Sequence, residues 1–115
     1  MYQKAYQEIA GDDFATERNN EALAVGHALE LMREAEKHGM DSLEAVKAAH
    51  FVRRLWFYFL DDLTQPENGL PDELKANLIS IGIWILRELD RMETKDLAGF
   101  ADIMDIMQII REGLK

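Results

Sequence analysis

Two apolar segments joined by one hydrophilic turn, between Arg53 and Arg91, limit what this chain can become more than any other feature. The stretch reads RRLWFYFLDDLTQPENGLPDELKANLISIGIWILRELDR and holds both tryptophans. Pro66 stops the segment before the turn, and Asn68-Gly69 suits a reversal that needs positive φ. Pro71 is expected at the first position of the next helix, with Asp72 and Glu73 complementing its dipole. So short a connection makes the two helices antiparallel neighbours. Beyond the turn, Leu78 to Leu86 is apolar except for Ser80 and Gly82. A helix apolar on every side has to be enclosed by others. At nine residues the run is too short for a bilayer, which needs about 20. The expectation is a central helix with the remaining helices packed around it.

The flanking sequence supplies those partners. From about Asp13 to His38 a stripe of Ala22, Val25, Leu29 and Met32, widened by Ala28 and Ala35, recurs at helical spacing, with Gly39 placed to end the helix. Asp41-Ser42-Leu43-Glu44 has the form of a capping box, with an acid as the cap. The helix it starts runs to about Leu63 on a stripe of Ala45, Ala48/Ala49, Val52, Leu55/Trp56, Phe59 and Leu63. The helix after the turn spans about Pro71 to Met92. Its stripes are Leu74, Leu78, Ile81, Ile85 and Leu89, and Ile79, Ile83 and Leu86. Thr94 can cap a last helix ending near Gly113, with Leu97, Phe100, Ile103/Met104, Met107, Ile110 and Leu114 on its apolar face. A short N-terminal helix is marked by Tyr2, Tyr6 and Ile9, broken by Gly11-Asp12-Asp13. It reads equally as a docked arm or as a functional one. The fold class is all-α: one domain over residues 1–115, a small bundle of four helices, or five with the N-terminal one.

A length of 115 residues with 48% hydrophobic content supports a single core. With no cysteine there is no disulfide, no thiolate nucleophile and no cysteine metal site, which fits a reducing cytoplasm. The opening MYQKAYQEIAGDD lacks a basic stretch followed by an apolar run, so no secretory signal is expected. A formal charge of −9 and a pI near 4.7 repel phosphate backbones and weigh against direct nucleic-acid binding.

Chemistry is hard to place. His27, His38 and His50 lie 11 and 12 residues apart, so no two of them share a helical turn, and a metal site is not expected. Asp12-Asp13 and Asp61-Asp62 are adjacent pairs, and neighbours on a helix point in different directions, which suits capping or solvation rather than shared acid–base work. No glycine-rich phosphate loop or nucleophile motif occurs. The reading is of a protein that is not an enzyme and needs no cofactor.

Partner binding leaves more signal. Phe51 and Tyr58 sit seven apart, off the main stripe of their helix, with Arg54 between them. That second face is either an added core contact or a surface for another protein. Met92, Met104 and Met107 are either core or part of a binding groove, where methionine adapts to irregular partners. The candidate partner-binding residues are Phe51, Arg54, Tyr58, Met104 and Met107. The Arg53-Arg54 pair could touch phosphate, but the surrounding acids favour an interhelical salt bridge or a partner carboxylate.

Over nearly its whole length the chain resembles the flagellar protein FlaF family. The resemblance rests on RRLW, DDL, PENGLPDELKANLISIGIWILRE and the closing IIREGL, together with Tyr2 and Ala5-Tyr6 at the start. Two places depart from the family pattern: Lys75, where arginine is frequent, and Ala98-Gly99-Phe100, where the family tends to have a polar stretch with an Asn-Phe pair. The resemblance implies a small cytoplasmic, non-enzymatic factor that binds flagellin before export and, with the regulator FlbT, adjusts flagellin synthesis. The alternative it leaves open is post-transcriptional control of flagellin messenger RNA, with FlbT, supported here only by Arg53-Arg54.

Overall fold

In a computed structural model, the described residues are 14–93 and 99–113, and they form four α-helices. These are α1 (Phe14–His38), α2 (Leu43–Leu63), α3 (Asp72–Glu93) and α4 (Ala101–Gly113). The all-α bundle expected from the periodicity is what the chain builds. The N-terminal segment with Tyr2, Tyr6 and Ile9, the Thr94 cap, Leu97 and Leu114 lie outside the described residues.

The core is a hairpin of α1 and α2. Val25, Ala28, Leu29, Met32 and Ala35 of α1 meet Ala45, Ala48, Val52, Leu55 and Trp56 of α2, all buried. Small alanines alternating with large side chains let the two helices interdigitate. The link between them is held by local chemistry. Gly39 adopts φ 95°, the left-handed conformation that glycine reaches without a Cβ penalty, and its N–H donates to the Ala35 carbonyl at 2.9 Å. Ser42, rather than Asp41, is the N-cap of α2. Its Oγ accepts from the Ala45 N–H at 3.1 Å and donates to the Gly39 carbonyl at 2.6 Å, so one hydroxyl ties both helix ends.

The turn after α2 is built differently from the expectation. Gly69 does not take positive φ; Gly39 is the glycine that does among the described residues. The Asn68 side chain makes the reversal instead. Its Nδ2 donates to the Asp62 carbonyl and to Asp62 Oδ2, both at 3.2 Å, while its Oδ1 accepts from the Leu70 N–H at 3.1 Å. An asparagine amide that reproduces backbone turn bonds removes the need for a left-handed residue.

Helix α3 returns antiparallel along α2, but it is an edge of the bundle and not its centre. Its buried residues are Gly82, Ile85, Glu88 and Leu89, one stripe only. Ile83 and Trp84, inside the apolar run, reach the surface. An apolar run is covered only as far as neighbouring helices reach, and α3 packs closely on α2 alone. Contact is close at one point, where a Cβ built on Gly82 would stand 2.9 Å from both Trp56 Cε3 and Leu60 Cδ2. Arg53 of α2 spans to Asp90 Oδ1 at 2.9 Å and Glu93 Oε1 at 3.3 Å on α3, the interhelical salt bridge anticipated for this arginine.

Helix α4 packs on α1, antiparallel to it. Phe100, Ile103 and Met107 are its buried anchors. Its start is fixed from outside: the Phe100 N–H donates to Glu36 Oε1 at 2.6 Å, placing a carboxylate at the positive end of the α4 dipole. At the other end, Arg111 lies over Gly26 of α1, 3.1 Å from where a Cβ would be. Around the bundle the order is thus α3, α2, α1, α4, and the ring is left open where α3 and α4 approach each other without close packing.

Candidate functional site

The five residues singled out from sequence do not gather in one place. Met107 has no exposed surface and belongs to the core between α4 and α1, so a partner could touch it only if the bundle opened. Met104 is half-buried against that same core. Phe51 is also half-buried, its ring packed edge-on to His27 of α1 with centroids 4.9 Å apart. Tyr58 is half-buried, its ring tilted against Phe59 at 5.6 Å, and Arg54 is exposed. Phe51, Arg54 and Tyr58 follow one line along α2. The methionines are on α4, which packs on the other member of the central hairpin.

The large apolar side chains that do face solvent are others: Leu23, Leu43, Val46, Phe57, Leu74, Ile83, Trp84 and Ile109. Most are scattered, as on any protein surface. Two of them share a groove. Across one side of the molecule, Ser80, Ile81 and Trp84 of α3 face Asp102, Asp105, Ile106 and Ile109 of α4, lining an open cleft of about 430 Å³. Ile109 is 67% exposed and Trp84 37%, large values for residues of this size. Positions 102, 105, 106 and 109 follow the i, i+3, i+4, i+7 progression, so one face of α4 is presented whole. The cleft exists because α3 and α4 are both edges and do not pack closely on each other. Sequence reasoning missed it because Ile106 and Ile109 lie off the apolar stripe read for this helix.

A second cleft of about 500 Å³ lies where the N-terminal half of α2, the end of α3 and the start of α4 converge. Its wall mixes apolar Met40, Val46 and Met92 with Asp41, His50 and Arg53. Arg53 is already held by two carboxylates of α3, which leaves less of the Arg53-Arg54 pair for phosphate.

Among the described residues nothing resembles an assembled catalytic centre. Among the described residues no three histidine or acidic side chains come together to hold a metal ion. His27 and His50 are exposed, and His38 lies 3.8 Å from Glu34 on its own helix. Glu88, buried among the described residues, is paired with Arg91 at 3.0 Å. Among the described residues, Asp62 is the group whose carboxyl is clearly perturbed. Burial pushes its carboxyl above the ordinary 3.8; the Asn68 hydrogen bond opposes this, and the neighbouring Asp61 and Glu67 add to it. That group sits in the last turn of α2 and serves the reversal through Asn68. No helix among the described residues is long and apolar enough to cross a membrane.

Comparison with known proteins gives one clear result. The family model described as flagellar protein FlaF matches residues 2–114, nearly the entire chain. Searches of curated proteins and of solved structures return no match. A match of that extent takes in all four helices and the turn on which the resemblance rested, and the chain belongs to the FlaF family of flagellar proteins.

Proposed function

We propose that this protein is a non-enzymatic flagellar biosynthesis factor of the cytoplasm that binds flagellin and promotes its synthesis and export, as a secretion chaperone or adaptor. The observation that carries the reading is membership of the FlaF family. The exposed apolar side chains on the edge helices are consistent with it. Flagellin ends in amphipathic helices that find their partners only within the filament. Unpaired in the cytoplasm, such helices expose apolar stripes and aggregate or polymerise early. A helical bundle with an apolar groove can cover a stripe of this kind. The net charge of −9 keeps the resulting complex soluble. FlbT is the second partner this reading includes, acting with the protein on flagellin synthesis.

The test is co-purification of tagged protein with flagellin from an expression host that makes both. Recovery of a stoichiometric complex supports the reading. Folded protein that carries no flagellin through the purification at tens of micromolar overturns it.

A further inference from the structure

The groove between α3 and α4 differs from the rest of the surface in how its charge is arranged. Its apolar lining is Ile81, Trp84, Ile106 and Ile109. The charged groups on its wall are two carboxylates, Asp102 and Asp105, and no lysine or arginine lines it. On α4 Asp102 and Ile109 stand at opposite ends of the lined face, with Asp105 and Ile106 side by side between them, so the charge is weighted toward one end. We propose that this groove seats an amphipathic helix of a partner protein, whose apolar stripe is flanked by lysine or arginine at one end. The inference rests on the flagellin-binding reading and narrows it to one surface and one partner chemistry.

Four considerations select that occupant. A helix pressed against α3 and α4 continues the antiparallel packing of the bundle and covers Trp84 and Ile109, the anchor types that dominate helix-in-groove contacts. Asp102 and Asp105 border the buried area, where an opposite charge gains more than it would in open solvent and a like charge is expelled. A second copy of this chain fits poorly, because it brings a net charge of −9 to an acidic rim. The first thirteen residues of the chain itself also fit poorly. They set Glu8, Asp12 and Asp13 against the single base Lys4.

The experiment titrates three probes into the full-length protein, following emission from the half-exposed Trp84. The probes are purified flagellin, a synthetic amphipathic helix with a leucine stripe flanked by lysine at one end, and the same peptide with glutamate there. The expected result is saturable binding of flagellin and the lysine peptide, with the glutamate peptide at least tenfold weaker. Ile109→Asp, at an exposed position the fold does not depend on, should weaken both binders at least tenfold with the melt unchanged. Asp105→Lys should reverse the preference between peptides. Flagellin binding that is unaffected by Ile109→Asp overturns the groove and leaves the flagellin reading standing. Charge-selective peptide binding without flagellin binding does the opposite. If the two peptides bind alike, the charge argument is wrong. A wild-type dimer that Ile109→Asp returns to monomer would assign the groove to a second copy. At least tenfold tighter peptide binding by Tyr6→Ser would assign it to the chain's own start; either outcome overturns the proposal.

Discussion

Gly82 of α3 sits directly against the indole of Trp56 on α2. A Cβ at position 82 would lie 2.9 Å from Trp56 Cε3, closer than side-chain carbons approach. The absence of a side chain there sets the spacing of the two helices. Trp56 is itself fully buried and cannot swing into solvent.

Gly82→Ala therefore places two effects in opposition. Alanine in a helix interior is favoured over glycine by about 1 kcal/mol. Crowding a packed interface costs about 1–3 kcal/mol. Leu60 can turn aside, but the Trp56 ring has nowhere to go, so crowding wins and the variant should melt several degrees lower. Gly69→Ala is the control, with nothing within 4 Å of its Cβ position, and should be close to neutral. Thermal melts of the two variants decide this, and a Gly82→Ala protein that melts above wild type would refute the close packing.

Glu36 anchors α4 from a distance in sequence by accepting the Phe100 N–H at 2.6 Å. Glu36→Ala leaves that donor without its carboxylate and removes a negative charge from the α4 N-terminus, at a cost of about 1–2 kcal/mol. Glu36→Gln keeps an acceptor and loses the charge, so it should fall between. Hydrogen exchange at the first amides of α4 should accelerate in that order, with exchange in α2 changed less. Uniform acceleration along the chain would mean that α4 is not separately held by this contact.

Asp62 gives a pH dependence of defined sign. Because burial raises its pKa in the folded state, the native protein holds this proton more tightly than the unfolded chain. The stabilisation is complete below the ordinary 3.8 and is lost as pH rises through the higher folded value. Asp62→Asn ends the titration, and its amide oxygen can still accept from Asn68. The variant should melt above wild type at neutral pH, with the gap narrowing as pH falls toward about 4. A variant that melts lower than wild type at pH 7 would show that the Asn68 bond needs the charge.

Much of this fold could be read from spacing. The α1 and α2 stripes fall where Val25, Leu29, Met32, Ala48, Val52 and Trp56 recur, because both helices are flanked by partners and a single period describes what is inside. The ending of α1 at Gly39 followed from the need for a left-handed residue. The position of α3 did not follow, since Leu78 to Leu86 says how apolar the helix is and nothing about how many neighbours it has. Chain topology leaves α3 with one close neighbour, and its surplus apolar surface becomes a wall of the groove. Gly69 misled for a related reason: an asparagine side chain can close a turn without positive φ, and only the geometry of Asn68 against Asp62 reveals it. Met107 and Ile109 are both apolar and stand two positions apart. One is core and the other is exposed because α4 presents them to opposite sides.

The most direct test of the central claim is calorimetric titration of purified flagellin into this protein at two or more temperatures. The account predicts saturable one-to-one binding with a negative heat-capacity change, the mark of apolar surface leaving water. A folded protein that gives no binding heat with flagellin at tens of micromolar at any of these temperatures would contradict it.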